Sequence, residues 1–134
     1  MSVGFVASCW DLMHAGHLIM LEDAKRMCNY LIVGLHTDPS IERPSKNKPV
    51  ESTFERFTRL KACRYVDEII PYDTERDLLN ILKSRKIDIR IIGSDYKGMK
   101  FTGSELNIPV YYHKREHDLS SSELRARINK SVDA

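Results

Sequence analysis

Five short runs of almost unbroken apolar residues recur along this chain of 134 residues: Val3 to Ala7, Tyr30 to His36, Val66 to Ile70, Ile87 to Ile92 and Val110 to His113. Each has strand length, and apart from Ile87-Asp88-Ile89-Arg90 none alternates with polar residues as a half-exposed strand would. The stretches between them carry helical spacing instead. From His17 to Met27 the residues Leu18, Leu21, Ala24 and Met27 fall three apart, and Thr53 to Cys63 carries Phe54, Phe57 and Leu60. Glu75 to Ser84 carries Leu78, Leu79, Ile81 and Leu82, and Ser120 to Ile128 opens on a capping box of Ser120 with Glu123. Strands apolar throughout and separated by helices must be buried on both faces. The expected fold is therefore α/β: one Rossmann-like, doubly wound domain over residues 1–134 with a five-stranded parallel sheet.

Such sheets bind ligands beyond the carboxyl ends of their strands, where the strand order reverses. The search for function narrows to the segments that follow strands. Thr37 to Ser52 is the longest, polar with three prolines, and connections of that length are commonly functional. Charge excludes some classes. Lys plus Arg is 21 against 19 for Asp plus Glu, too even for a general nucleic-acid or membrane-surface binder. No apolar run approaches the ~20 residues of a spanning helix. Cys9, Cys28 and Cys63 form no C-x-x-C pair, so reduced thiols in the cytoplasm are expected. Val6-Ala7-Ser8-Cys9 has the look of a lipoprotein cleavage box, but no basic residue precedes it and the apolar stretch is too short.

After the first strand comes Asp11-Leu12-Met13-His14-Ala15-Gly16-His17. His14 and His17 are one helical turn apart, where a helix begins, and project to the same side. The amino end of a helix offers unpaired N–H groups and partial positive charge to a phosphate, and Gly16 lets a ligand approach the backbone. Two partly exposed histidines that merely start a helix are the plain alternative. Zinc on His14, His17 and Asp11 or Cys9 is another, without the spacing of a known zinc pattern. Neither G-x-G-x-x-G nor G-x-x-x-x-G-K-[ST] occurs. From Arg43 to Arg64 seven residues are basic and two acidic. Lys46 and Lys48 read as mobile phosphate ligands and Arg59 and Lys61 as solvated surface, with Arg56 and Arg64 open between the two. Lys114-Arg115 and Ser120-Ser121-Ser122 form a second anion site at a helix start. Acidic metal ligands are sparse, so no protein metal site is expected, and Mg2+ would be held mainly by a ligand's phosphates and water.

Three motifs then resemble one family over nearly the whole chain. Trp10-Asp11-Leu12-Met13-His14-Ala15-Gly16-His17 stands at T-F-D-x-x-H-x-G-H of the H-x-G-H nucleotidyltransferase superfamily. Arg64-Tyr65-Val66-Asp67-Glu68 stands at R-Y-V-D-E of its short cytidylyltransferases, typified by glycerol-3-phosphate cytidylyltransferase. Arg115-Glu116-His117-Asp118-Leu119-Ser120-Ser121-Ser122 stands at R-T-E-G-I-S-T-T. The resemblance implies attack of a phosphate monoester on the α-phosphorus of CTP, with loss of pyrophosphate. His14, His17 and Lys46 would be catalytic. The nucleotide would meet Cys9, Trp10, Asp11, Lys48, Asp95, Arg115, Ser120, Ser121 and Ser122. The phosphorylated acceptor would meet Lys46, Arg64 and Arg76. A cytoplasmic homodimer acting on small molecules, with no nucleic-acid partner, is implied as well.

The sequence departs from that pattern. Ser8 and Cys9 stand where the family has Gly and Thr, and His117-Asp118 where it has E-G. Gly93-Ser94-Asp95-Tyr96-Lys97, with Gly103-Ser104-Glu105, resembles the adenylyltransferase half of ADP-heptose synthase instead. Ser120-Ser121-Ser122-x-x-Arg125 also resembles the I-S-S-T-x-x-R of adenylyltransferases. An adenylyltransferase for heptose phosphate, pantetheine phosphate or a flavin, and a non-catalytic nucleotide-binding module, stand as alternatives.

Overall fold

The structure, a computed structural model, describes residues 2–115 and 120–133. Its elements in chain order are β1 (Val3–Ser8), α1 (Ala15–Arg26), β2 (Tyr30–His36), α2 (Thr53–Lys61), β3 (Glu68–Tyr72), α3 (Glu75–Ser84), β4 (Ile89–Gly93), β5 (Val110–His113) and α4 (Ser121–Asp133). A single 3-10 turn, Ser94–Tyr96, follows β4. All strand pairs are parallel, in the order β3-β2-β1-β4-β5. The order reverses between β1 and β4, as a doubly wound sheet requires.

Both faces are packed, which is why the strands read as continuous apolar runs. On one face Val6, Leu31, Val33, Leu35 and Ile91 meet Leu21 and Ala24 of α1 and Leu60 of α2. On the other, Phe5, Ile32 and Tyr72 meet Leu78 and Leu82 of α3.

Two expected boundaries and one expected buried face change for identifiable reasons. β3 runs through Pro71 instead of stopping before it. It is an edge strand pairing only with β2, so the missing N–H faces no neighbour. α1 starts at Ala15 because His14 caps it. α2 does not bury Phe54, which is 78% exposed; its inward stripe is Arg56, Phe57 and Leu60. The Ser120 cap is formed, with Glu123 N donating to Ser120 Oγ at 3.0 Å. Residues 37–52 hold no helix or strand.

Candidate active site

A cleft of ≈ 700 Å³ opens at the carboxyl ends of the strands. Its wall takes His14 and His17 from the start of α1 and the backbone after β4.

The histidine pair is held by the helix it starts. Gly16 N donates to Nδ1 of His14 at 3.0 Å, and His14 N donates to Nδ1 of His17 at 3.2 Å. The two rings lie 4.0 Å apart. Because both Nδ1 atoms accept from backbone amides, Nε2 carries the proton in each neutral ring. Both rings line the cleft. Burial, then the neighbouring His14, push the pKa of His17 down to about 4. His17 is thus a neutral donor near pH 7, and a bound phosphate would oppose that depression.

Trp10 and Asp11 support this turn instead of lining the cleft. Trp10 is 1% exposed. Its indole N–H donates to Gly34 O at 2.9 Å, and its ring sits 5.5 Å from that of His17. Trp10 and Leu12 both have left-handed φ values, 56° and 49°. Such conformations cost non-glycine residues about 1 kcal/mol or more and persist where packing fixes them. Asp11 is fully engaged. Its carboxylate accepts from the amides of Val50 (2.9 Å) and Glu51 (3.0 Å) and from Arg125 of α4 (2.5 Å). Burial would raise its pKa, but those donors outweigh burial and bring it down. Asp11 therefore ties the 37–52 loop and α4 to the histidine turn. Glu51 completes the tie by accepting from Leu12 N at 2.7 Å and pairing with Arg59 at 2.8 Å. Arg59, expected as plain surface, has this one structural partner.

Arg56 resolves as structure. It is 2% exposed. Its guanidinium donates to the carbonyls of Cys9 (3.0 Å), His36 (2.8 Å) and Thr37 (2.6 Å) just past β1 and β2. It also reaches the carbonyls of Glu51 and Ser52. One cation thus gathers carbonyls at the ends of β1 and β2, including those of the cleft residues Cys9 and His36.

The remaining expected residues divide. Cys9, Lys46, Asp95, Arg115 and Ser120 line the cleft. Burial raises the Cys9 thiol pKa, keeping it a protonated, weak donor. Lys48 and Ser122 are exposed and do not line the cleft. Ser121 opens α4, but its side chain lies outside what the structure describes. Residues 116–119 of the third motif, including His117 and Asp118, lie outside the described residues.

Arg76 is exposed on the first turn of α3, where its neighbour Glu75 faces the cleft instead. Arg64 precedes the amino end of β3, the opposite edge of the sheet from the cleft. There it donates to the Tyr65 hydroxyl at 2.8 Å. The polar residues of its motif are similarly occupied: Tyr65 with Glu22, Asp67 with Lys25 and the amide of Leu31, Glu68 with Tyr30 and Arg85. Within this chain the polar residues of the motif brace the sheet.

Several polar cleft residues were not assigned to the site from the sequence, His36, Tyr72, Arg90 and Arg43 among them. His36, Tyr72 and Arg90 are buried, and Arg43 is exposed and paired with Glu75 at 3.0 Å. A charged or imidazole side chain inside an otherwise apolar strand, as in Ile89-Arg90-Ile91-Ile92, was the available signal. Among the described residues no group of three or more His, Cys, Asp or Glu side chains could hold a metal. No described helix is long and apolar enough to cross a membrane.

A doubly wound sheet with an H-x-G-H turn capping its first helix at the switch point defines a nucleotidyltransferase. Residues 5–127 match the family model described as cytidylyltransferase-like, and the chain belongs to that family. Similar proteins include the bifunctional protein HldE of Campylobacter fetus subsp. fetus, 38% identical over 102 residues, covering 75% of this chain and 22% of that protein. HldE of Campylobacter jejuni strain RM1221 is 36% identical over 125 residues, 92% of this chain and 27% of that protein. The chain thus spans about a quarter of the length of these curated relatives. The likeness to the glycerol-3-phosphate type drawn from the motifs is corrected accordingly: these relatives carry a different name. Among solved structures, a lipopolysaccharide core biosynthesis protein from Thermoplasma volcanium GSS1 superposes with TM-score 0.62 at 21% identity, over 97% of this chain and 88% of that one. A pantoate-beta-alanine ligase from Francisella tularensis superposes with TM-score 0.61 at 13% identity, over 96% and 69%. Both likenesses bear on the fold alone.

Proposed function

We propose that this nucleotidyltransferase moves the adenylyl group of ATP onto a phosphorylated sugar of the heptose-phosphate kind and releases pyrophosphate. The histidine pair carries the reaction. Two Nε2–H donors and the amino end of α1 meet in the cleft, where charge on a triphosphate would shift. The Gly93-Ser94-Asp95-Tyr96 stretch supports the choice of ATP. It resembles adenylyltransferases and lines the cleft, and the HldE relatives favour the same reading.

In this mechanism an oxygen of the acceptor phosphate attacks the α-phosphorus in line. The bond from the α-phosphorus to the bridging oxygen breaks, and both electrons leave with pyrophosphate. The attacking phosphate is already anionic, so no base is needed. His14 and His17 donate to the α-phosphate and the leaving group. Lys46 draws the loop over the phosphates, and Arg115 and Ser120 hold the distal end of the triphosphate. Mg2+ would be carried mainly by the phosphates and water, since Asp11 is already engaged. The homodimer remains part of this proposal.

CTP is the second reading, favoured by Arg64-Tyr65-Val66-Asp67-Glu68. Pyrophosphate release with ATP and with CTP, over a panel of phosphate monoesters, decides. The expected result is kcat/KM at least tenfold higher for ATP with a sugar phosphate. Preference for CTP with glycerol 3-phosphate would restore the cytidylyl reading, and nucleotide binding without pyrophosphate release from any pair would leave a non-catalytic module.

A further inference from the structure

The α3 side of the cleft holds three buried polar side chains whose hydrogen-bonding capacity the described protein does not satisfy. His36 is 6% exposed, Tyr72 6% and Arg90 7%, and all three line the cleft. They come from three strands. His36 ends β2 and Tyr72 ends β3, opposite each other in register, and their rings stack with centroids 4.7 Å apart. Arg90 sits within β4, on the opposite face from Ile89 and Ile91.

Each group has a definite unused polarity. Nε2 of His36 lies 3.2 Å from the carbonyl of Asp73. A carbonyl only accepts, so Nε2 carries the proton of the neutral ring and leaves Nδ1 as its acceptor. No described residue donates to Nδ1, and none bonds the Tyr72 hydroxyl. Arg90 donates one hydrogen bond, to the carbonyl of Thr102, and its guanidinium lies 5.0 Å over the Phe101 ring. A guanidinium has five N–H donors, so most of this one remains unengaged. The obvious carboxylate is occupied elsewhere, since Glu75 accepts from Arg43 at 3.0 Å and from Thr102 Oγ1 at 2.7 Å. Buried polar groups are otherwise almost always satisfied, so three together in a cleft call for a ligand or ordered water.

The backbone is shaped around them. A Cβ on Gly34 would lie 2.9 Å from Phe5 Cζ and 3.1 Å from Tyr72 Cε1. The bare glycine thus lets the Tyr72 ring lie down on the sheet. Gly103 has φ +83°, and a Cβ there would lie 3.0 Å from Arg90 Nη1. Glycine lets the strap that carries Phe101 and Thr102 close on the guanidinium.

From this cluster we infer that His36, Tyr72 and Arg90 form a polyol-reading subsite that binds vicinal hydroxyls on the acceptor, away from its reacting phosphate. A carboxylate or second phosphate could accept from Arg90 but could not donate to Nδ1 of His36, whereas a hydroxyl does both. Arg90 lies three residues below the Gly93 end of β4, roughly 10 Å along the strand, so it reads the far end of the acceptor. The inference deepens the proposed function, rests on its sugar-phosphate reading, and makes these three specificity determinants.

The test uses the full chain and pyrophosphate release with a hexose or heptose phosphate, its deoxy analogues and a carboxylated sugar phosphate. Tyr72→Phe removes one hydroxyl while keeping the stacked ring, and Arg90→Met removes the donor fork. The expected result is a loss in kcat/KM of about tenfold or more for the sugar phosphate in each variant. The loss falls mainly on the acceptor KM, and the KM for nucleotide stays within twofold. The wild type rejects at least one deoxy analogue by a similar factor, and Tyr72→Phe or Arg90→Met no longer discriminates against it. If the wild type turns over sugar phosphates but Tyr72→Phe, folded by circular dichroism, keeps kcat/KM and deoxy discrimination within twofold, the subsite is overturned and the proposed function stands. Preference for the carboxylated acceptor also overturns it. If the wild type releases pyrophosphate with no sugar phosphate, both fall together.

Discussion

Replacing Arg56 with Met tests how the ends of β1 and β2 are held beside the cleft. Met has comparable length and is compatible with burial, so the change removes the donors and little volume. The guanidinium reaches five carbonyls, and the three from Cys9, His36 and Thr37 lie at 2.6–3.0 Å. Those three lie at the carboxyl ends of two neighbouring strands, Cys9 after β1 and His36 and Thr37 at the end of β2, and Met offers them no donor. An unsatisfied buried polar group costs about 1–3 kcal/mol. Entry of one water would recover part of that, so the expected loss is roughly 3–5 kcal/mol. For a chain of this size that corresponds to a fall in Tm of about 10–18 °C. Urea unfolding followed by circular dichroism measures it, with unchanged m-value required for a two-state comparison. Arg56→Lys should fall between wild type and Arg56→Met, because an ammonium cannot span the same carbonyls. A loss below about 1 kcal/mol in Arg56→Met would refute the reasoning, by showing that the carbonyls find partners without the cation.

Other consequences follow from the same contacts. Changing His14 or His17 to Ala should lower turnover about 100-fold or more, read by pyrophosphate release; full turnover in both would contradict their role. Asp11→Asn keeps shape but removes charge facing Arg125 and two amides, and should cost about 2–4 kcal/mol in thermal melts; a loss within error would mean the tie is ornamental. His17 should titrate with a midpoint near 4 by NMR. Its folded pKa lies below that of the unfolded chain, so its contribution is complete above about pH 6.5 and fades as pH falls towards 4, by up to about 3 kcal/mol. A midpoint near 6.5 would contradict the buried, neutral ring.

Much of the frame was legible because it follows from periodicity. β2, α3 and β5 occupy the expected spans, since each apolar run or helical stripe gives way to a polar stretch at its end. Pro71 misled because whether a proline ends a strand depends on whether that strand is an edge, which only the assembled sheet decides. The histidine turn was legible because spacing and helix position coincide in sequence. Asp11 was not, as its partners Val50, Glu51 and Arg125 lie 39 to 114 residues away. Arg56 stood open for a similar reason: its partners are backbone carbonyls, which have no sequence signature. His36, Tyr72 and Arg90 were hidden by their own strands, where a polar residue reads as an interruption of the core until the cleft beside it is seen.

The account rests on the histidine pair meeting the triphosphate. A crystal soaked with a non-hydrolysable ATP analogue and Mg2+ examines that contact directly. The expected structure has α- or β-phosphate oxygens about 3 Å from Nε2 of both His14 and His17, with the base beside Gly93 and Asp95. A nucleotide bound with its phosphates elsewhere, while both imidazoles stay out of contact, would contradict it.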